Sequence, residues 1–157
     1  MNRWHKYFKG ITEQVASNSQ CLSRKIGAIL VRDNIIVSTG YNGPPRGVPH
    51  CNTRNRSGGM ICPRREQNYA TGRGLDLCIA AHAERNAIVS AARIGSRVEG
   101  CTMYSSWVIP CKDCMIEIIN AGIKEVVVTE LRVYAEDLGW WLAQQAGIKL
   151  TEYDLSD

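Results

Sequence analysis

The stretch His82-Ala83-Glu84, followed further along the chain by Pro110-Cys111-Lys112-Asp113-Cys114, decides how this sequence is interpreted. His82, Cys111 and Cys114 are ligands of the kinds that zinc prefers, and they leave the fourth position of a tetrahedral site open. Glu84 is a carboxylate next to this predicted site that is not needed as a ligand, so it is available as a proton carrier. The two segments therefore predict a catalytic metal centre assembled from separate parts of the chain.

Each half of this predicted centre lies at the start of a predicted helix. Residues 80–94 carry apolar side chains, mostly alanine, at helical spacing, and Pro110 is favoured at the first position of a second helix ending at Asn120. Cys111 and Cys114 lie three positions apart on one helix face, so both sulfur atoms can reach one metal ion. Free N–H groups and the positive end of the helix dipole favour thiolates there.

The remaining sequence alternates strand and helix patterns. Predicted helices occupy residues 3–18, 80–94, 110–120 and 137–145, and predicted strands occupy 26–31, 35–40, 103–107, 124–129 and 148–153. Such alternation predicts an α/β fold, a three-layer α/β/α sandwich around one sheet. The length of 157 residues suits a single domain over residues 1–157. Within it, residues 42–78 form an insert without clear periodicity that is rich in Gly, Pro, Arg and Asn.

The composition is typical of a soluble globular protein, with 45% hydrophobic and 22% charged residues. No apolar run is long enough for a membrane-spanning helix, and the polar, aromatic N-terminus does not match a signal peptide. We therefore expect a cytoplasmic protein, in the host cytoplasm if the chain is viral, without a membrane partner. The net charge of +4 is below that expected of a dedicated nucleic-acid binder and is compatible with a phosphorylated small-molecule substrate.

Seven cysteines are many for a protein in a reducing compartment, where disulfides are rare. Besides the two cysteines of the first motif, Cys101 precedes a strand and is interpreted as a core residue. The other four flank the insert or lie within it, and four thiolates around a second, structural zinc would hold this long loop. These four are Cys21, Cys51, Cys62 and Cys78. His50 could replace one of them, and a set of scattered buried thiols is the alternative.

The complete pattern, H-x-E followed by P-C-x-x-C, is the known signature of zinc-dependent nucleobase deaminases, and the class is assigned by recognising it. Cys111 and Cys114 alone could form a redox pair, and the three ligands alone could form a closed structural zinc site. Both halves in this order, together with Glu84, favour a deaminase. In that chemistry Glu84 would pass protons from water to the base and then to the leaving amine.

Longer stretches of the sequence resemble one deaminase family, the deoxycytidylate (dCMP) deaminases. They are CLSRKIGA at 21–28, GYNGPPRG at 40–47, HC at 50–51 and HAERNAI at 82–88. The resemblance covers nearly the whole chain and implies a cytidine-deaminase-like fold with a mixed central sheet. It also implies hydrolysis of dCMP to dUMP and ammonia by a homohexamer that dCTP with Mg²⁺ activates and dTTP inhibits.

Substrate residues follow from the same resemblance. Asn42 matches an asparagine that contacts the sugar, and Arg24 matches a basic position near the phosphate; a turn residue and a solvated charge are the respective alternatives. The backbone N–H of Ala83 would bind the cytosine carbonyl. Tyr104 and Trp107 could line the base pocket by stacking, although Trp107 could instead only pack against its neighbours.

Three further residues are candidates for effector binding. Arg93 matches a position tied to nucleotide regulation in the family, and it could equally be a partner of the helix dipole. Arg46 and Gly43 lie in the Gly/Pro-rich loop, where Arg46 could contact effector phosphates. These residues would carry the response to dCTP and dTTP.

The insert also favours a competing substrate, a base in tRNA or single-stranded DNA, because residues 44–74 contain six arginines and one acid. Proteins that bind single strands interleave basic groups with exposed aromatic residues, whereas this segment has only Tyr69. Free cytidine is a further option. A protein of another class, a non-catalytic zinc-bound oligomerisation module, would have no use for Glu84. We therefore prefer dCMP as the substrate and do not expect nucleic acid as a partner.

Overall fold

Helices and strands alternate along the chain in the computed structural model, which describes residues 2–51 and 62–156. The helices are α1 (Arg3–Ala16), α2 (Pro63–Glu66), α3 (Ala83–Ile94), α4 (Lys112–Asn120) and α5 (Leu138–Ala146). The strands are β1 (Gly27–Arg32), β2 (Ile35–Tyr41), β3 (Thr102–Ser105), β4 (Glu125–Val128) and β5 (Lys149–Glu152). A 3₁₀ turn at Leu75–Leu77 precedes α3.

These strands form one mixed sheet in the order β2-β1-β3-β4-β5. β1 pairs antiparallel with β2 and β3, whereas β3, β4 and β5 pair in parallel. The β1–β2 hairpin turns through Asp33 and Asn34, which both have positive φ, a conformation that Asp and Asn adopt more readily than most residues. α4 and α5 make the crossovers that parallel pairing requires. The predicted α/β class and mixed sheet are confirmed.

Alternate side chains of the central strands enter two separate cores. On one face Leu30 and Met103 pack with residues of α3, α4 and α5. On the other face Ile29 and Tyr104 pack with Phe8 of α1. This alternation follows from the two-residue period of a strand, and burial on both faces makes the strands apolar throughout. The result is the predicted three-layer sandwich, with both helices of the predicted metal centre on the same face.

β2 and α3 approach each other closely because Gly40 has no side chain. A Cβ on Gly40 would lie 2.3 Å from Ala87 N and 2.5 Å from Ala83 O, both backbone atoms of α3. Asn86 Nδ2 also donates a hydrogen bond to Tyr41 O at 2.8 Å. The first turn of α3 is therefore fixed against the sheet.

The helix boundaries differ from the prediction at both halves of the centre. α3 begins at Ala83 with His82 as its N-cap, and α4 begins at Lys112 with Cys111 as its N-cap. Pro110 therefore precedes the helix, and the prediction that it occupies the first helical position is wrong. The reason is that an N-cap residue keeps an extended backbone, with ψ of 155° at His82 and 168° at Cys111, so each helix starts one residue after its first ligand.

The insert contains more regular structure than predicted. It includes α2, the 3₁₀ turn and an antiparallel bridge between Gly43 and Ala81. Part of the predicted insert, residues 52–61, lies outside the described residues. Within the two described ranges, none of the helices combines the length and the apolar character that crossing a bilayer requires.

Candidate active site

The three predicted metal ligands come together where α3 and α4 begin. The ligand atoms of His82, Cys111 and Cys114 lie within 4.8 Å of one another. His82 Nδ1 is 3.4 Å from Cys111 Sγ and 3.3 Å from Cys114 Sγ. One ring nitrogen and two sulfur atoms at this spacing fit a tetrahedral zinc ion with one open position. Among the residues that the structure describes, no other group of three or more His, Cys, Asp or Glu side chains is as close.

The two cysteines and the histidine set the charge of this centre. The pKa of the Cys111 thiol is lowered to about 4, mainly by its hydrogen bond with Cys114 and further by that with His82. The bond with Cys111 is also the main reason why the pKa of Cys114 is raised. The pKa of His82 is raised, chiefly by its hydrogen bond with Cys111. Two sulfur atoms and a ring nitrogen are a donor set that a divalent cation would complete, with release of the protons that these groups still carry.

Glu84 is buried beside the ligands. Glu84 is 5% exposed and lies in the first turn of α3. Burial raises the pKa of its carboxyl group, because a carboxylate is poorly solvated there, while the charge of His82 and a hydrogen bond with Cys114 act in the opposite direction. The raised pKa makes this carboxyl group a stronger proton acceptor than an exposed glutamate, which suits a group that takes a proton and returns it.

Two contacts hold the neighbouring helices in place. Arg85 Nε of α3 lies 3.0 Å from Glu117 Oε1 of α4. Glu136, in the loop before α5, accepts hydrogen bonds from Lys112 N at 2.8 Å and from Leu138 N at 2.7 Å. These are the first N–H groups of α4 and α5, which have no partner inside their own helices. The Glu136 carboxylate therefore caps both helices and complements both dipoles.

We expect Glu136→Ala to lower the free energy of unfolding by about 1–2 kcal/mol, because two helix N-termini lose their cap. Urea denaturation measures this loss, and zinc retained after dialysis shows whether the start of α4 has loosened. Glu99→Ala is the matched control, since Glu99 pairs with Arg97 at the exposed surface, and it should cost less than about 0.5 kcal/mol. Equal losses in the two variants would contradict the capping role.

The structure gives Asn42 two backbone partners. Its Oδ1 accepts a hydrogen bond from Ile26 N and its Nδ2 donates one to Arg24 O, both at 2.9 Å. Asn42 thus fixes the segment that enters β1, and its predicted sugar contact stays a prediction. Ala83 is the first residue of α3, so its N–H has no acceptor inside the helix, as its predicted contact with the base requires.

Tyr104 lies away from the centre, which does not fit its predicted place in the base pocket. It is 7% exposed, and its ring packs 4.7 Å from the ring of Phe8 on the α1 face of the sheet. Strand alternation is the reason, because the preceding residue, Met103, takes the face that packs against α3, α4 and α5. Trp107 lies beyond the end of β3, and the guanidinium carbon of Arg24 lies 4.4 Å from the centre of its ring. Two of the predicted substrate residues are thus in contact.

The predicted effector residues are spread over two regions. Arg93 is exposed in the last turn of α3, about 16 Å from His82 along the helix at 1.5 Å per residue. Arg46 is exposed in the loop after β2. Gly43 N donates to Ala81 O at 3.1 Å and Ala81 N donates to Gly43 O at 2.8 Å, which ties that loop to the segment before α3. The effector roles themselves stay predictions.

Three of the four further cysteines, Cys21, Cys62 and Cys78, lie in segments that contact one another. Arg65 Nη2 of α2 donates to Leu22 O at 2.7 Å, which joins the helix that follows Cys62 to the residue after Cys21. α2 also contacts the 3₁₀ turn that Cys78 follows. In the described part of the chain these thiols are not gathered into a ligand group as compact as that of His82 and its partners. The second zinc site stays a prediction.

The sequence analysis missed the loop at 129–137, which contains Arg132, Tyr134 and Glu136. This loop follows β4 and contacts the segment that leads to Cys111, since Ile109 N donates to Arg132 O at 3.1 Å. One signal could have found it. In open α/β sheets, ligands bind beyond the carboxyl ends of parallel strands, and the loop lies at such an end.

The comparison with known proteins decides the family. A family model described as the cytidine and deoxycytidylate deaminase zinc-binding region matches residues 2–130. The chain belongs to this family. The deoxycytidylate deaminase of Schizosaccharomyces pombe is 38% identical over 151 residues, which are 96% of this chain and 44% of the yeast protein. The deoxycytidylate deaminase of Mycobacterium phage D29 is 36% identical over 129 residues, which cover 79% of this chain and 92% of the phage protein.

A solved member of the deaminase family shares the fold. The crystal structure of dCMP deaminase from the cyanophage S-TIM5 in complex with dCMP and dUMP superposes with a TM-score of 0.76 at 25% identity. The match covers 97% of this chain and 98% of that one. The chain spans less than half the length of the S. pombe relative. The zinc-binding character of the family agrees with the ligand set of His82, Cys111 and Cys114.

Proposed function

We propose that this chain catalyses the hydrolytic deamination of dCMP to dUMP and ammonia. The observation that carries the proposal is the buried carboxyl group of Glu84 beside His82, Cys111 and Cys114. A structural zinc site has no need of an additional buried acid, whose desolvation costs free energy. An acid with a raised pKa at an open metal position is instead typical of a catalytic site.

The protein's own groups orient the substrate and move the protons. His82, Cys111 and Cys114 would hold a zinc ion, which would act as a Lewis acid and lower the pKa of a water molecule toward neutrality. Glu84 takes a proton from the attacking water and passes it to the ring nitrogen. It then takes the proton of the newly added hydroxyl group and delivers it to the leaving amine. The Ala83 N–H, unpaired within its helix, donates to the cytosine carbonyl.

Two kinds of observation support a monophosphate substrate. The S. pombe and phage D29 relatives are named deoxycytidylate deaminases, and the cyanophage enzyme is in complex with dCMP and dUMP. On this chain we assign the sugar to Asn42 and the phosphate to Arg24. The hydrogen bond from Asn42 Nδ2 to Arg24 O keeps these two residues side by side, as a sugar and its phosphate require.

Turnover of dCMP compared with cytidine, dCTP and a cytosine-containing oligonucleotide tests this function. We expect ammonia release with dCMP and a much lower kcat/KM with the other three. Activity on the oligonucleotide alone would replace the proposal by deamination of a nucleic acid, which the arginines of the insert would then explain. We place the activity in the cytoplasm, or in the host cytoplasm for a viral chain.

We further propose a homohexamer that dCTP with Mg²⁺ activates and dTTP inhibits. Arg93, Arg46 and Gly43 are the proposed effector contacts, and both arginines are exposed. Sedimentation and dCMP turnover with each nucleotide test the proposal. A monomer that responds to neither nucleotide would contradict it.

We also propose that Cys21, Cys51, Cys62 and Cys78 hold a second, structural zinc. The contacts between the segments of Cys21, Cys62 and Cys78 support it, because one metal ion could then tie α2, the 3₁₀ turn and the segment after α1 together. His50 is a candidate substitute for one of these cysteines, because an imidazole nitrogen is also a common zinc ligand.

Metal analysis of the purified protein should therefore find about two zinc ions per chain, one for each proposed four-coordinate site. Cys78→Ser should reduce the content to about one, because it removes a ligand of the second site only. Cys101→Ala is the matched control, since Cys101 lies in the core and should leave the zinc content unchanged. One zinc per wild-type chain would rule out the second site.

A further inference from the structure

Arg24 occupies a corner between two aromatic rings. Its guanidinium carbon lies 4.4 Å from the centre of the Trp107 ring and 4.3 Å from the centre of the Tyr134 ring. The two rings are 6.2 Å apart and inclined by 68° to each other. Within residues 2–51 and 62–156, no hydrogen bond or ion pair engages this guanidinium. The rings therefore hold a cation whose N–H donors are all still available.

Arg132 places a second cation at the same indole ring. Its guanidinium carbon lies 5.4 Å from the centre of the Trp107 ring. Its backbone is fixed, because Ile109 N donates to Arg132 O at 3.1 Å and Thr129 N donates to Trp107 O at 2.9 Å. Arg132 Nε lies 2.7 Å from Glu130 Oε2, and both side chains are exposed. The cluster of two arginines and one acid therefore keeps a net positive charge.

This Arg–aromatic cluster lies next to the candidate active site. Trp107 precedes Cys111 by four residues, so the two residues are at most about 14 Å apart along an extended chain. Tyr134 faces the insert, because a Cβ on Gly72 would lie 3.6 Å from its hydroxyl oxygen. A cavity of about 200 Å³ is lined by Ser23, Arg64, Arg65, Tyr69 and Thr71, and Ser23 and Thr71 are the chain neighbours of Arg24 and Gly72.

We propose that Arg24 and Arg132, held against Trp107 and Tyr134, form the binding site for the 5′-phosphate of the nucleotide substrate, with Arg132 and Tyr134 as specificity-determining residues. This inference rests on the proposed function, because it assigns the substrate phosphate of that same site. It adds a second cation and the loop at 129–137 to a site for which the sequence pointed only to Arg24.

Phosphate recognition is the use that the chemistry of this cluster favours. A guanidinium presents a planar set of donors that matches two oxygen atoms of a phosphate, and stacking on a ring leaves the in-plane donors free. The rings also fix the side chain before binding, so less rotamer entropy is lost when the phosphate arrives. Because Trp107 and Arg132 are hydrogen-bonded into the segment leading to Cys111, the phosphate would be held at a fixed position relative to the zinc ligands.

The experiment compares kcat/KM for dCMP and for deoxycytidine, which lacks the phosphate, in the wild type, Arg24→Met and Arg132→Met. We define the preference as kcat/KM for dCMP divided by kcat/KM for deoxycytidine. We expect each variant to reduce this ratio by about 10- to 100-fold, as loss of a charge-assisted contact does, with most of the effect on KM for dCMP. Arg97→Met is the matched control. Arg97 also forms an exposed ion pair with an acid two positions away, but lies beyond the far end of α3, so its ratio should equal that of the wild type.

An unchanged ratio in Arg132→Met, or equal losses on both substrates, would overturn the inference, because a merely structural residue would affect both substrates alike. If the wild type does not deaminate dCMP, the proposed function fails, and titration calorimetry with dCMP and with deoxycytidine then decides the inference separately. Weaker binding of dCMP but not of deoxycytidine by Arg132→Met would support the phosphate site. Equal dCMP affinity in both proteins, or no measurable affinity in the wild type, would overturn it.

Discussion

Glu84→Gln should reduce kcat by about a thousand-fold or more while the zinc content remains that of the wild type. The expected loss is at the upper end of what general acid–base catalysis contributes, because the same carboxyl group serves more than one proton transfer. Gln has nearly the same size as Glu, so the buried position stays filled, but its amide cannot accept and return a proton. His82, Cys111 and Cys114 are untouched, so the metal should stay bound.

Steady-state kinetics with dCMP and metal analysis of the same preparations measure this prediction. Asp113→Asn is the matched control, since Asp113 lies between the two cysteine ligands but its side chain is 64% exposed and turned toward Lys112. It should retain most of the activity. Near-normal turnover by Glu84→Gln would show that another group moves the protons, and loss of zinc would show that Glu84 contributes to metal binding instead.

The centre could be predicted from the sequence because its parts are local. His82 and Glu84 are two residues apart, Cys111 and Cys114 are three apart, and each pair needs only a helix start to be oriented. Tyr104 shows where such reasoning ends. The family resemblance suggested that Tyr104 lines the base pocket. Which face of β3 its side chain occupies depends on the register of the strand, and a shift of one residue moves the side chain to the other face.

The contribution of the loop at 129–137 could not be predicted for a different reason. Glu136 caps two helices, and Arg132 shares the indole of Trp107 with Arg24, but none of these partners is near the others in the sequence. Such contacts arise only when the parallel strands bring their carboxyl ends to one edge of the sheet. The close backbone approaches at Gly40 and Gly139 could not be predicted either, because they depend on how tightly two elements of the fold pack.

Gly139→Ala is expected to destabilise the protein by about 3 kcal/mol and to cause loss of zinc from the catalytic site. Gly139 lies in the first turn of α5, and a Cβ there would lie 2.2 Å from Pro110 O and 3.2 Å from the carbonyl carbon of Cys111. Both atoms belong to the backbone, so no side-chain rotation relieves the clash. α5 and the segment that carries Cys111 would have to move apart, and the ligand would move with them.

Gly10→Ala separates this steric effect from the ordinary effect of replacing glycine in a helix. Gly10 lies inside α1, and a Cβ there would meet nothing within 4 Å. Its replacement should therefore stabilise the protein by about 0.5–1 kcal/mol, the gain in helix propensity from glycine to alanine. Urea denaturation should show a lower free energy of unfolding for Gly139→Ala and a higher one for Gly10→Ala. Only Gly139→Ala should lose zinc if the close approach of α5 to Pro110 holds the metal ligand in place. A stable, zinc-replete Gly139→Ala would show that the two segments can separate without disturbing Cys111, which would contradict this role of the close approach.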